Sequence, residues 1–105
     1  MSYSKYDFKK DIEEILAICQ DELHDIANGK ANQATKEQIE GTIIPEMNTL
    51  LEIIKKDDIP PKNQRWILST AYITRGWNWD IQNCGILAKK LAQLDNKYRD
   101  GMNES

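Results

Sequence analysis

The sequence predicts an all-α fold, a single domain over residues 1–105 in which four helices form an antiparallel bundle. Three observations support this prediction. Apolar residues recur at intervals of three and four along most of the chain, which is the spacing of one helix face. Capping residues, Gly and Pro divide the chain into four stretches with short connections, an arrangement typical of antiparallel helices. No stretch of four or more residues shows the β-branched alternation of a strand, and 105 residues are close to the commonest domain size.

The first helix is predicted over residues 5–27. Ser4 or Asp7 can cap its first turn, and Asn28-Gly29 is a stop signal because glycine readily adopts the left-handed conformation that ends a helix. A single apolar stripe would face the core. It comprises Phe8, Ile12, Ile15, Leu16, Cys19, Leu23 and Ile26.

The second helix is predicted over residues 36–56, where Thr35 and Gln38 match a capping box. Pro45 lies inside its apolar stripe, and a proline removes one helical hydrogen bond and crowds the carbonyl four residues back, that of Gly41. Because the stripe keeps its phase across Pro45, we expect one Pro-kinked helix, with two separate helices as the alternative. The stripe comprises Ile39, Ile43, Met47, Leu50, Leu51 and Ile54.

The third helix is predicted over residues 61–75, since proline suits the first turn of a helix and Gly76 follows the last one. This segment is apolar on nearly every side, so we expect it to be the most buried helix. Its large apolar side chains are those of Trp66, Ile67, Leu68, Tyr72 and Ile73.

The fourth helix is predicted over residues 79–98, and Asn78 or Asp80 can cap its start. Residues 99–105 are polar and form a tail that we expect to fray. The apolar face of this helix comprises Ile81, Cys84, Leu87, Ala88, Leu91, Leu94 and Tyr98.

Composition restricts the class of function. The formal charge is −3 and the pI is about 5.1, which argues against a nucleic acid or an anionic membrane as the partner. No apolar run approaches the roughly 18 residues of a membrane span. The first residues lack the apolar core of a signal peptide, so we expect a cytoplasmic protein in which both cysteines are buried thiols.

Charge is distributed unevenly along the chain. Residues 1–58 hold seven lysines against thirteen acidic residues, whereas residues 59–105 hold seven basic residues against four acidic ones. Either the acidic half packs against the basic half, or it offers an acidic surface to a basic protein partner. The candidate docking residues on the first helix are Asp11, Glu14, Asp21, Glu22 and Asp25.

The sequence carries no recognisable catalytic set. His24 is the single histidine, and Cys19, five residues away, points in another direction on a helix. The Asp21-x-x-His24 step, a spacing that di-iron bundles use on two helices, occurs once. There is also no glycine-rich phosphate loop. We therefore expect a protein that is not an enzyme and that binds no metal and no cofactor.

Two of the three tryptophans lie at the predicted break between the third and fourth helices. Trp77 and Trp79 either close the end of the bundle, with Asn78 and Asp80 as caps, or leave one indole exposed as a recognition anchor beside Arg75. We expect Trp77 to fold back onto Tyr72 and Ile73, and Trp79 to be the exposed indole.

These observations favour a non-catalytic protein–protein interaction module. Its most specific form is a small acidic inhibitor of a basic partner such as a nuclease toxin, because the general profile is one that many immunity and antitoxin-type proteins share. The alternative is a homodimeric structural or adaptor bundle. An enzyme or metal protein built on His24 is the third hypothesis.

Overall fold

The structure, a computed structural model, describes residues 4–30, 34–61, 64–77 and 85–101. These residues are mostly helical and include no strand, which confirms the all-α prediction for the described part of the chain. Their buried apolar side chains form one continuous core. The antiparallel arrangement of the helices stays a prediction.

Helix α1 spans Lys5–Ala27, as the apolar spacing predicts. The Ser4 hydroxyl accepts a hydrogen bond from the Asp7 N–H at 3.1 Å, and the Asp7 carboxylate accepts one from the Ser4 N–H at 3.1 Å. The pKa of Asp7 is lowered, first by the hydrogen bond from the Ser4 backbone. After α1, Gly29 has a φ of 82°, a conformation that suits glycine because it has no Cβ.

The second predicted helix is helical from Lys36 to Lys55, but it is not α-helical throughout. Helix α2 spans Lys36–Gln38, a π-helical segment spans Ile39–Ile43, and α3 spans Ile44–Lys55. The Thr35–Gln38 capping box is present. In the π segment, the Ile44 N–H donates to the Ile39 carbonyl five residues earlier, just before Pro45, which has no N–H to donate. The kink at Pro45 stays a prediction.

The third predicted helix is much shorter than expected. Helix α4 spans Leu68–Arg75, and the backbone before it is extended, with Ile67 at φ −113° and ψ 111°. The segment that leads into α4 makes one short turn, in which the Gln64 N–H donates to the Pro61 carbonyl at 2.8 Å, and it is not helical over residues 65–67. The buried Arg65 side chain donates to the carbonyls of Pro60 and Tyr98, at 2.8 and 3.4 Å. A single continuous helix over residues 61–75 is therefore wrong.

The described part of the fourth predicted helix begins at Ile86. Helix α5 spans Ile86–Asn96 and continues as a π-helical turn over Lys97–Gly101. Gly85 is extended, with φ −72° and ψ 179°, so the chain is not one uninterrupted helix from residue 79. Helix α1 packs against α3 and α5, and α4 packs against α5. At one end of the core, the rings of Phe8 and Tyr98 stack with centroids 4.8 Å apart.

Candidate protein-docking surface

Helix α4 has two apolar faces, and only one of them contributes to the core. Ser69 and Ile73, one turn apart, are buried at 0% and 5% exposure. Leu68 and Tyr72, also one turn apart, are 49% and 44% exposed. The prediction that this segment forms the most buried helix is therefore wrong. Its all-round apolar character reflects a second apolar face that meets solvent.

The exposed face extends beyond those two residues. Ala71 and Arg75 are exposed and fall on the same face as Leu68 and Tyr72, because residues three and four apart are neighbours on a helix. Trp66 lies just before the helix and is 59% exposed. We call this set, together with Trp77 below, the α4 surface: Trp66, Leu68, Ala71, Tyr72, Arg75 and Trp77.

Glu46 of α3 holds the start of α4 in place. Its carboxylate accepts hydrogen bonds from the N–H groups of Leu68 and Ser69, at 2.6 and 2.8 Å, and from the Ser69 hydroxyl at 2.6 Å. The first N–H groups of a helix have no partner within it, and a negative charge suits its N-terminus. A side chain from a distant part of the sequence therefore takes the role of an N-cap.

Two further hydrogen bonds attach this segment to α5. The Ile67 N–H donates to the Asp95 carboxylate at 3.3 Å, and the Thr70 hydroxyl donates to the Leu91 carbonyl at 3.3 Å. Burial raises the pKa of Asp95, while the charge of Arg99 and the Ile67 hydrogen bond oppose that rise. The α4 surface is thus anchored at its back by contacts to α3 and α5.

Trp77 closes the C-terminal end of the α4 surface. The N–H groups of Gly76 and Trp77 both donate to the Tyr72 carbonyl at 2.7 Å, which turns the chain back over the helix. The indole of Trp77 stacks on the Tyr72 ring, with centroids 5.4 Å apart and planes 28° from parallel. Trp77 is half-buried and packs against the core, so it folds back onto Tyr72 as predicted.

The predicted tryptophan break extends beyond Trp77. Asn78, Trp79 and Asp80 lie outside the described residues, and so does Cys84. Of the five candidate residues at the break, the structure describes Arg75 and Trp77.

An open groove of about 410 Å³ runs beside the α4 surface. Arg99 on its wall pairs with Asp95 at 3.0 Å, and the Asp95 side chain is only 13% exposed. Arg75 lies on the same wall, and no carboxylate of the described residues forms an ion pair with it. The groove lining comprises Trp66, Ile67, Thr70, Ala71, Arg75, Asp95 and Arg99.

The acidic candidates on α1 do not form one open face. Glu14 pairs with Lys90 at 2.7 Å, and Asp11 pairs with Lys97 at 3.6 Å, so both contact the C-terminal part of the chain. Hydrogen bonding to Glu14 raises the pKa of Lys90. These two pairs match the interpretation in which the acidic half packs against the basic half.

The other three acidic candidates lie further along α1. Asp21 is exposed, Glu22 is half-buried, and Asp25 pairs with Lys30 at 3.5 Å. An acidic docking face on α1 would therefore be centred on this C-terminal half of the helix.

The titratable groups considered for catalysis are dispersed. Burial raises the pKa of the Cys19 thiol to about 12, which makes this thiol a poor nucleophile at neutral pH. His24 is exposed. Within the described ranges, no three His, Cys, Asp or Glu side chains are grouped so as to hold a metal ion.

The sequence interpretation missed Trp66, Leu68 and Tyr72 as surface residues. The sequence offered no usable signal, because apolar spacing does not distinguish a helix buried on every side from one whose second apolar face meets solvent. None of the described helices is both long enough and apolar enough to cross a membrane. Comparisons with protein-family models, with curated proteins and with solved structures find no match to this chain.

Proposed function

We propose that this protein is a non-catalytic protein–protein interaction module that docks its partner through the α4 surface. The scaffold we propose is the antiparallel bundle, with its second helix bent at Pro45. The observation that carries the proposal is the exposed apolar face of α4, formed by Leu68 and Tyr72, which lies beside the buried face of the same helix. Exposed apolar patches on soluble proteins are often sites of association.

The chemistry of the α4 surface suits a binding hot spot. Trp, Tyr and Arg are the residues over-represented among side chains that contribute about 2 kcal/mol or more to a complex. Here Trp66 and Arg75 line one groove, and Tyr72 lies one turn before Arg75 on the same helix. The hydrogen bonds that Glu46 and Asp95 accept from the backbone N–H groups of Ser69 and Ile67 hold this segment in place, so that little ordering remains to be done when a partner binds.

The non-catalytic part of the proposal is supported by what surrounds the titratable groups. The buried Cys19 thiol has a raised pKa, and His24 is exposed on the outside of α1. Burial and the nearby Glu22 carboxylate both raise the pKa of the Cys19 thiol, which disfavours the thiolate that nucleophilic catalysis needs.

The more specific form of the proposal is an inhibitor of a basic partner, of the immunity or antitoxin type. It uses the acidic residues that stay exposed, among them Asp21 on α1 and Glu40 and Glu52 further along the chain. Charge complementarity would then speed association without dominating the affinity.

A homodimer through the α4 surface is the second candidate, and the same exposed apolar face favours it. Two copies of α4 could bury their apolar faces against each other around a two-fold axis. Sedimentation equilibrium separates the candidates, since a monomer at concentrations well above those at which the partner binds contradicts the homodimer.

The proposed function is tested with purified candidates from the genes that flank this one, in a biosensor measurement of affinity. Tyr72→Ser should weaken the complex at least tenfold, while Tyr6→Ser, which changes a 68% exposed tyrosine on α1, should leave it within twofold. Equal effects of the two substitutions would refute docking through α4. Asp21→Lys should slow association with a basic partner and reduce its dependence on salt.

A further inference from the structure

We infer that the α4 surface binds a short amphipathic segment of the partner whose apolar side chain is accompanied by a carboxylate. This inference rests on the proposed function, because it names the chemistry of the ligand for the same surface. It does not concern the acidic residues of α1.

The size of the surface argues for a short segment and against a large flat interface. A fully buried aromatic side chain covers about 150–250 Å². With roughly half of each side chain exposed, Trp66, Leu68 and Tyr72 together offer on the order of 300 Å². A stable dimer buries about 800 Å² of total surface on each partner, of which these side chains would supply less than half, so a short segment matches this surface better than a second copy does.

The shape of the surface also suits a segment. The exposed face is continuous with the groove of about 410 Å³ between α4 and the C-terminal part of α5. A helix or an extended strand can place one apolar side chain in such a groove and keep its other side in water.

The charges that line the groove determine the second requirement on the ligand, which is a carboxylate. Both arginines of the groove wall, Arg75 and Arg99, are exposed, and the single carboxylate of the lining, that of Asp95, is already bound by Arg99 and by the Ile67 N–H. Arg75 thus presents a guanidinium to the groove for which the described residues supply no carboxylate. Guanidinium groups bind carboxylates through two parallel hydrogen bonds, which favours an acidic ligand and disfavours a basic one.

The distance between Leu68 and Arg75 on α4 predicts the distance between the apolar and the acidic residue of the ligand. Leu68 and Arg75 are seven residues apart on one face, which corresponds to roughly 10 Å along the axis at 1.5 Å per residue. A helical ligand that runs alongside α4 would meet this pair with an apolar residue and an Asp or Glu separated by about two turns.

The experiment selects peptides from a displayed library of random 16-residue sequences on the wild-type protein. The strongest peptide is synthesised, and its affinity is measured by calorimetry for wild type and for three variants. Urea midpoints confirm that each variant is folded. Arg75→Gln and Tyr72→Ser should each weaken binding at least tenfold, and Tyr6→Ser should change it less than twofold. Replacing the peptide's Asp or Glu by Asn or Gln should produce the same loss as Arg75→Gln.

The outcomes separate the inference from the function on which it rests. Peptides that lose affinity with Tyr72→Ser but are indifferent to Arg75→Gln, or that are enriched in Lys and Arg, overturn the acidic ligand and leave the docking surface intact. Peptides that bind equally well to Tyr72→Ser overturn both. A protein that sediments as a dimer broken by Tyr72→Ser assigns the surface to a second copy and also overturns the inference.

Discussion

The carboxylate of Glu46 connects α3 to the start of α4, and its removal should destabilise the protein far more than its position on a helix surface suggests. In Glu46→Ala, the N–H groups of Leu68 and Ser69 lose their acceptor, and so does the Ser69 hydroxyl. The Leu68 N–H can turn to water, because Leu68 is half-exposed. Ser69 is completely buried, so its hydroxyl has no such substitute.

The expected loss of unfolding free energy in Glu46→Ala has two contributions. Loss of a helix N-cap costs about 0.5–2 kcal/mol. A buried polar group left without a partner costs about 1–3 kcal/mol. We therefore expect Glu46→Ala to lower the free energy of unfolding by about 3 kcal/mol, a large part of the roughly 5–15 kcal/mol typical of a domain. At about 4–8 °C for each kcal/mol, Tm should fall by roughly 12–24 °C.

The assay is urea unfolding followed by circular dichroism, with Glu52→Ala as the matched control. Glu52 lies on the same helix and is exposed, so its removal should change stability by less than about 0.5 kcal/mol. In a double-mutant cycle, Ser69→Ala should remove much of the penalty, because it deletes the stranded hydroxyl. If Glu46→Ala loses no more stability than Glu52→Ala, or if the cycle shows no coupling between Glu46 and Ser69, then the Glu46 carboxylate does not stabilise the start of α4.

Three further predictions concern residues away from the α4 surface. In a Cys84→Ser background, Cys19 should react with a thiol reagent at pH 8 at least a hundredfold more slowly in the native than in the unfolded protein. The reason is that burial raises the pKa of its thiol to about 12. Rapid labelling of the native protein would contradict the burial of Cys19. Gly41→Ala should be neutral or should stabilise the protein by up to about 1 kcal/mol in urea unfolding, since an added Cβ meets no atom outside its own helix within 4 Å. A clear loss of stability would show that the π segment depends on glycine. A double-mutant cycle on Glu14 and Lys90 should give a coupling of about 0.2–1 kcal/mol that salt reduces, and a coupling that salt leaves unchanged would argue against a surface ion pair.

Local signals in the sequence were sufficient where local interactions determine the structure. The range of α1 follows from its apolar spacing, and its start follows from the reciprocal bonds between Ser4 and Asp7. The capping box at Thr35 is correct for the same reason. Such interactions involve residues within one turn of each other, so their pattern is visible in the sequence.

The parts that the sequence did not reveal depend on contacts between distant residues. Helix α4 begins at Leu68 because Glu46 and Asp95, far away in the chain, bind the N–H groups of residues 67–69. The π segment before Pro45 is a local feature. An α-helical turn and a π-helical turn differ by about one residue, and the apolar spacing of the sequence does not distinguish them.

The candidate site was predicted only in part. Arg75 and the packing of Trp77 on Tyr72 follow from the break at Gly76. Trp66 and Tyr72 were assigned to the core, because apolarity on all sides of a helix ordinarily indicates burial. Periodicity identifies an apolar face, but it does not reveal whether the fold supplies a second layer to cover that face.

Helix α4 turns one apolar face to the core and the other to solvent, and the proposed docking surface depends on this arrangement. Leu68→Ala and Ile73→Ala test it directly, since the two residues are aliphatic, share one helix and differ in the face they occupy. In urea unfolding, Ile73→Ala should cost about 2–5 kcal/mol, as expected for a buried aliphatic side chain. Leu68→Ala should cost less than about 1 kcal/mol, because half of its side chain is already in water. A loss for Leu68→Ala as large as that for Ile73→Ala would show that both faces are buried, and the proposed docking surface would not exist.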